Sequence, residues 1–360
     1  MAQLFIDLGK LNYNIHYVDN LCDQKGLELI AVVKGCFAYM PIIETFQNAG
    51  IKIFGISNPS VVIKNLHYMN HRPMMIAVPS ARESDIVTRC FKSSLNSEIT
   101  TIQALGLASD KNNCYHEIIL MVDNGDLREG VMPEDVLNTV RKILKIRSKR
   151  LKFCGLGANL GCCSGTLPDK QNLNLLQELA LDVEKKLGCE IKTVSMGGSV
   201  LLEWMKNNDL PSKINQVRMG EAILLGNIPT VNKKHEDLFS DVFTFIGEIL
   251  EIKEKPSVPS GRQGLDAFGR VPQFKDRGIR RRAILNFGYS NTEPSGLTSR
   301  VKGIEIINSN SDYAIADVTD CKERLSVGDI LEFDLNYSAM MRVFLSPYTE
   351  YIHISSEHEH

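Results

Sequence analysis

Along the first ~220 residues, short apolar runs rich in β-branched residues alternate with longer stretches whose apolar positions recur at helical spacing. Eight such runs stand at 29–33, 52–56, 74–78, 94–96, 117–122, 152–156, 191–195 and 216–218. Between them 41–48, 60–69, 133–146, 169–187 and 200–207 read as helices, several opened by Pro or by a Ser or Asp cap. Eight βα units in a row predict a closed (β/α)8 TIM barrel over residues 8–230. A doubly wound open sheet is the competing layout, because the run at 94–96 is short enough to change the count.

After about residue 229 the rhythm changes. The runs at 244–252, 282–286, 302–307, 313–317, 330–335 and 349–354 have no helix-length segments between them, which predicts a mostly β C-terminal domain over 231–360. The apolar stretch within residues 1–7 reads as a further strand of that domain. The Pro/Gly-rich piece 255–269 and the stretch 292–299 read as long loops, where function often concentrates.

Composition fits this layout: 360 residues, 43% hydrophobic, suffice for one large α/β unit and a smaller partner domain. The formal net charge is −2, and the one basic stretch, KDRGIRRR at 275–282, is diluted by Asp276 and Gly278, so a nucleic-acid partner is not expected. No apolar run approaches membrane-spanning length and the N-terminus has no signal-peptide pattern, which predicts a cytoplasmic protein with no membrane partner. Nine cysteines at irregular spacing suit a reducing compartment. Only the adjacent Cys162 and Cys163 invite a functional reading. With no His or Cys pair at ligand spacing nearby, they read as structural thiols, and no metal is expected.

Three segments could carry chemistry. The first barrel run ends IAVVKGCFAY, which puts Lys34 at the C-terminal mouth of its strand, where barrels place their catalytic groups. Alone, a lysine there is more often a solvated strand end. In an apolar cup its pKa falls and the neutral amine can form an imine with an aldehyde cofactor. After the seventh run, SMGGSV offers Gly197, Gly198 and Ser199 to an anion at a helix start. After the eighth, VRMGEAIL holds Arg218, Gly220 and Glu221 at the other common phosphate position of a barrel.

The VVK block with Tyr39 close behind resembles the fold-type III pyridoxal 5′-phosphate (PLP) enzymes, above all alanine racemase. The matches run in order along nearly the whole chain. The resemblance implies that Lys34 carries PLP, that Tyr39, Gly198, Ser199, Gly220, Glu221 and Tyr337 hold its phosphate, and that Arg218 faces the ring nitrogen. An always-charged guanidinium there would leave that nitrogen largely unprotonated and favour simple proton removal and return. In MVDNGDLREGV, Arg128 matches the residue that positions the substrate carboxylate, but Met121 stands where many alanine racemases have a carbamylated lysine to brace it. Asn159 stands roughly where those enzymes carry a His. With VDxGDLREG and NLGC, these departures look more like the ornithine and broad-specificity racemase branch.

Racemisation needs a proton carrier on each face of Cα. The Gly288-Tyr289 pair resembles the family's Gly-Tyr, whose Tyr reaches the partner subunit's barrel as the second base, and Asp317 falls near a segment that contacts substrate. The resemblance therefore implies a homodimer with shared active sites, acting on ornithine or another larger amino acid. Two alternatives remain open: a metal-dependent D-threonine aldolase or D-serine dehydratase type of lyase, for which the C-terminal residues offer His353, His358 and His360 but no nearby Cys, and a non-catalytic PLP-binding protein, against which the added β domain argues.

Overall fold

Eight parallel strands close into a barrel with helices between them. In the computed structural model, which describes residues 1–231, 233–266 and 268–357, these strands are β2 to β9; β1 (Gln3–Asp7) belongs elsewhere. They are β2 (Glu28–Val32), β3 (Phe54–Ile56), β4 (Met74–Met75), β5 (Ser93–Asn96), β6 (His116–Met121), β7 (Leu151–Asn159), β8 (Thr193–Gly197) and β9 (Gln216–Met219). The pairing of β2 with β9, Ala31 opposite Met219, closes the ring. The open sheet is thereby excluded, and the short run at 94–96 is a full barrel strand paired on both sides.

The barrel's helices are α1 (Leu8–Gln24), α2 (Met40–Asn48), α3 (Pro59–Asn65), α4 (Ser84–Cys90), α5 (Ile99–Lys111), α6 (Val136–Leu144), α7 (Lys170–Leu187), α8 (Leu201–Asn207) and α9 (Glu221–Leu225). Helix α7 shows how local sequence sets the ends. The Asp169 carboxylate accepts the Asn172 N–H at 2.7 Å while Asn172 Oδ1 accepts the Asp169 N–H at 3.0 Å, a reciprocal cap, and Gly188 closes the helix in the left-handed conformation at φ 60°. Ile30, Met74, Leu95, Ile119 and Met121 from alternate strand positions pack together as a buried apolar cluster.

Residues 11–240 form this unit; residues 1–10 with 241–357 form a second. Its strands are β1 with β12 (Phe243–Pro256), β13 (Ile279–Leu285), β14 (Leu297–Ser299), β15 (Glu305–Ser309), β16 (Ala314–Asp317), β17 (Ile330–Leu335) and β18 (Glu350–Ile354). The two-residue strands β10 (Asn227–Ile228) and β11 (Lys233–Lys234) form a hairpin in the first unit. The order β14-β17-β12-β13-β16-β15 is antiparallel throughout, and β1 pairs with both β12 and β18. Phe245, Phe287 and Phe333 fill its core with edge-to-face contacts, their ring centroids 4.9 and 5.5 Å apart. Gly247 makes room for them, since a Cβ there would fall 2.4 Å from Phe287 Cε1.

One sequence expectation is corrected here. The stretch 292–299 is not all loop, because Leu297–Ser299 pairs with β17. Tyr337 opens helix α10 (Tyr337–Leu345), which Asn336 caps by accepting the Ala339 N–H at 2.9 Å. The basic stretch is consumed inside the unit: Arg280 pairs with Asp317 and Asp320, and Arg277 with Glu305. Among the described residues, no helix is long and apolar enough to cross a membrane.

Candidate active site

Lys34 stands two residues beyond β2, at the C-terminal end of the barrel, with its side chain exposed. The turn it opens is tight. Phe37 and Ala38, neither of them glycine, both sit at φ 50°, and Tyr39 then starts α2 from a half-buried position. Burial pushes the Tyr39 phenol up. Cys36 is fully buried and its thiol is driven to about 12 by burial, so it is no competing nucleophile.

Strand β9 is hydrogen-bonded beside β2, so Gly220 and Glu221 leave the barrel next to Lys34. Burial raises the Glu221 carboxyl, a hydrogen bond from Asn227 opposes this, and so does the Lys34 charge, which acts on it directly. Gly220 must be glycine: a Cβ there would fall 2.6 Å from Val32 O. The Gly220 and Glu221 N–H groups precede the first helical hydrogen bond of α9, and neither has an acceptor among the described residues.

The segment after β8 joins this one through Ser199, whose hydroxyl accepts the Ala222 N–H at 3.0 Å. The Ser199 hydroxyl proton remains available to an anion. Gly198 does not serve as expected, because its N–H donates to Arg218 O at 3.1 Å. Its role is conformational instead: φ is +122°, and a Cβ would fall 2.6 Å from Leu160 O.

Arg218 is buried, with 3% of its surface exposed. Its Nη1 donates to Ser195 Oγ at 2.5 Å, and its Nη2 to Ala158 O at 2.8 Å and Asn159 Oδ1 at 2.9 Å. Burial lowers it to about 10, with Glu129 opposing, which still leaves the guanidinium charged at neutral pH. Gly197 is the floor of this arrangement, since a Cβ would fall 2.1 Å from Asn159 Oδ1 and 2.5 Å from Arg218 Nη2.

From Asn159 the network continues outward. Its Nδ2 donates to Glu129 Oε1 at 2.6 Å, and Arg128 grips the same carboxylate with Nε on Oε2 and Nη2 on Oε1. Arg128 Nη1 lies 2.7 Å from Cys162 Sγ. Met121, where the resemblance sought a brace for Arg128, is wholly buried in the barrel interior; the anion beside Arg128 is Glu129. Two expectations change accordingly. The Asn159 amide is engaged between two charged groups, and the Arg128 fork faces a carboxylate of its own chain. Cys162 and Cys163 are exposed, so they are not the packed structural thiols expected.

In the second unit, Tyr289 is fixed at both ends. Its carbonyl accepts from Arg342 Nε and Nη2 at 3.3 Å each, and its hydroxyl lies 3.4 Å from Arg270 Nη1. Phe268 packs edge-on against its ring at 4.9 Å, so the loop from 257 to 278 supplies both neighbours. Asp317 is not left open for a substrate. Its Oδ2 accepts from Arg280 Nε at 2.8 Å and its Oδ1 from the Thr319 N–H at 3.0 Å and hydroxyl at 2.7 Å. Burial alone would raise this carboxyl, but those bonds outweigh it and hold it low. Tyr337 is half-buried at the start of α10. His353 lies in β18 opposite Ile6, and the only group of His, Cys, Asp and Glu side chains among the described residues that could hold a metal is elsewhere. His358 and His360 lie outside the described residues.

Glu129, Gly197, Ser195, Cys162 and Arg270 were not singled out for these roles from sequence. Only Gly197 and Cys162 carried a signal, in the MGGS and GCCSG motifs.

A profile of the alanine racemase N-terminal domain matches residues 6–227. Over 349 residues, covering 97% of this chain and 98% of the relative, the chain is 34% identical to an ornithine racemase of Acetoanaerobium sticklandii. It is also 34% identical, over 98% of both chains, to a lysine racemase of Thermotoga maritima. An alanine racemase structure from Streptomyces lavendulae superposes with a TM-score of 0.73 at 15% identity, covering 99% of this chain and 97% of that one. D-threo-3-hydroxyaspartate dehydratase from Delftia sp. HT23 superposes with a TM-score of 0.73 at 13% identity, over 98% and 94%, so the fold alone does not separate isomerase from lyase. The profile and the two full-length relatives do place the chain: it belongs to the alanine racemase family.

Proposed function

We propose that the protein is a PLP-dependent amino-acid racemase acting on a basic amino acid, ornithine or its homologue lysine. The observation that carries the reading is the junction of β2 and β9, where Lys34 leaves the barrel beside the two unaccepted N–H groups of Gly220 and Glu221. Those N–H groups and the Ser199 hydroxyl are chemically fitted to a phosphate, and a charged, fully buried Arg218 to a pyridine nitrogen. When bound, PLP supplies the electron sink that lets the Cα proton leave.

The protein's own groups do the rest. Lys34 anchors the cofactor and carries the proton on one face of Cα. Arg128, held by Glu129 through Nε and Nη2, offers its remaining Nη1 to the substrate carboxylate. Tyr289, reaching in from the second subunit of a homodimer, carries the proton on the other face. The choice of a diamino substrate is supported by the two full-length relatives, whose names give ornithine and lysine.

Incubating the purified protein with each L- and D-amino acid in D2O, and reading deuterium at Cα beside chiral composition, tests reaction and substrate together. Exchange with inversion on ornithine or lysine, and no aldehyde or keto-acid product, is the expected outcome. Accumulation of a cleavage or dehydration product would replace the racemase with a lyase.

A further inference from the structure

Beside the barrel mouth lies a cluster that the racemase reading does not use. Cys162 and Cys163 are the two exposed thiols among the described residues; the other seven are buried or partly so. Asp126 lies against them with 3% of its surface exposed. Its Oδ1 accepts the N–H groups of Cys162 and Cys163 at 3.1 Å each, that of Ser164 at 3.3 Å and the Ser164 hydroxyl at 3.1 Å. The chain is thereby folded over one carboxylate, which holds both thiols on fixed backbone.

The second oxygen, Oδ2, is buried and accepts no hydrogen bond. Arg128 Nε stands 3.8 Å away, but that guanidinium is turned onto Glu129. A buried anionic oxygen without a donor is a poor ending for a carboxylate and a good one for a metal ligand. The carboxylate and the two sulfurs fit that use, since one Asp126 oxygen and the Cys162 and Cys163 sulfurs all lie within 4.8 Å of one another. A tetrahedral zinc ion with Zn–S near 2.3 Å and Zn–O near 2.0–2.2 Å holds its ligand atoms roughly 3.5–3.8 Å apart. Closing from 4.8 Å to that spacing is the rearrangement that metal binding asks of the two exposed side chains.

We propose that Asp126, Cys162 and Cys163 bind a soft divalent cation of the zinc type, through both thiolates and Asp126 Oδ2, with the fourth position open to water. Thiolates select such ions over magnesium or calcium. Each thiol releases its proton to solvent as the metal binds, so binding weakens as pH falls. Because Cys162 Sγ also contacts Arg128 Nη1, the metal takes the sulfur away from that guanidinium and couples the site to the barrel mouth. The site does not depend on the racemase reading and stands or falls separately from it.

The test uses the full-length protein, reduced and stripped with a chelator, titrated with Zn2+ in competition with a chromophoric chelator, with Co2+ as a second probe for thiolate charge-transfer absorption. The expected result is one Zn2+ per chain with that absorption present, and affinity at least ~10-fold weaker in each of Cys162→Ser, Cys163→Ser and Asp126→Asn. The asparagine keeps an oxygen for the backbone N–H groups and removes only the anionic partner, and circular dichroism checks that each variant is folded. Cys189→Ser should bind as the unaltered protein does. No stoichiometric binding, or undiminished binding in the Cys162→Ser/Cys163→Ser double variant, which would move the zinc to histidines elsewhere, overturns the proposal. So does an Asp126→Asn variant with unchanged affinity.

Discussion

Arg128 and Glu129, neighbours in sequence, meet side chain to side chain as a two-point ion pair, with Arg128 Nη2 2.6 Å from Glu129 Oε1 and Nε on the other oxygen. Adjacent side chains normally diverge; here Leu127 at φ 50° and Gly130 at φ 143° bend the loop until they converge. The same Glu129 oxygen takes the Asn159 amide, so one carboxylate ties Arg128 to the buried Arg218 through a single side chain.

Glu129→Gln removes the charge from that tie while keeping its shape. A hydrogen bond to a charged group is worth roughly 1.5–3 kcal/mol, so kcat/KM should fall about 10- to 100-fold. The loss should lie mainly in KM, because a loosened Arg128 weakens the grip on the substrate carboxylate. Initial rates from both enantiomers by chiral chromatography provide the check, and an unchanged KM would remove Glu129 from the role of brace.

Gly197→Ala addresses the other end of the network. The new methyl would fall 2.1 Å from Asn159 Oδ1 and 2.5 Å from Arg218 Nη2, so one of the two must leave its place. Overpacking of this kind costs about 1–3 kcal/mol, which urea denaturation should register as a lower midpoint with an unchanged slope. If Arg218 is the one displaced, cofactor absorbance should shift as well. A variant as stable as the unaltered protein, with unaltered absorbance, would show that the close approach of these three residues is not needed.

What could be read in advance follows from the distance over which each signal acts. The strand at Ser93–Asn96 was readable, though short, because barrel strands need only a few apolar positions between helices. Lys34, Arg218 and Gly220 were readable because they stand just beyond or near the ends of such strands. Asp317 was misread because its partner Arg280 lies 37 residues away in the chain and no local pattern announces the pair. The family's brace for Arg128 has no counterpart at Met121, so a brace had to come from elsewhere; the carboxylate that holds Arg128 is that of the next residue in sequence, in a loop conformation that only coordinates display.

His116, inside β6, predicts a weakening of the fold in acid. Its ring is wholly buried, with Nδ1 3.2 Å from Phe91 O and Nε2 2.8 Å from Ser94 Oγ. A carbonyl can only accept, so Nδ1 carries the proton and Nε2 takes the Ser94 hydroxyl. Burial drives this imidazole down from 6.5 to about 4. Between those values the unfolded chain binds a proton that the folded one does not, so stability falls as pH drops from about 6.5 toward 4 and levels off below, by at most about 3 kcal/mol. His116→Gln should lose some stability at neutral pH yet show a shallower decline across that window in urea midpoints measured at half-unit steps. An equally steep decline would assign the acid sensitivity to other groups.

Tyr289→Phe separates the two faces of Cα. If Tyr289 carries one proton and Lys34 the other, the phenylalanine variant should lose racemisation by about 100-fold or more while one enantiomer continues to exchange its Cα hydrogen with D2O without inverting. The partner effect of Arg270, whose Nη1 lies 3.4 Å from the Tyr289 hydroxyl and whose guanidinium stands 5.4 Å from the ring, should be smaller. Arg270→Ala removes one long charge-assisted bond, worth about 1–2 kcal/mol, and should slow interconversion roughly 5- to 30-fold, equally in both directions because the enantiomers have equal free energy. Arg270→Lys restores the positive charge and should recover part of the rate, which a purely packing role for Arg270 would not allow. Unchanged exchange at Cα from both enantiomers in Tyr289→Phe would transfer the second proton to a residue of the barrel.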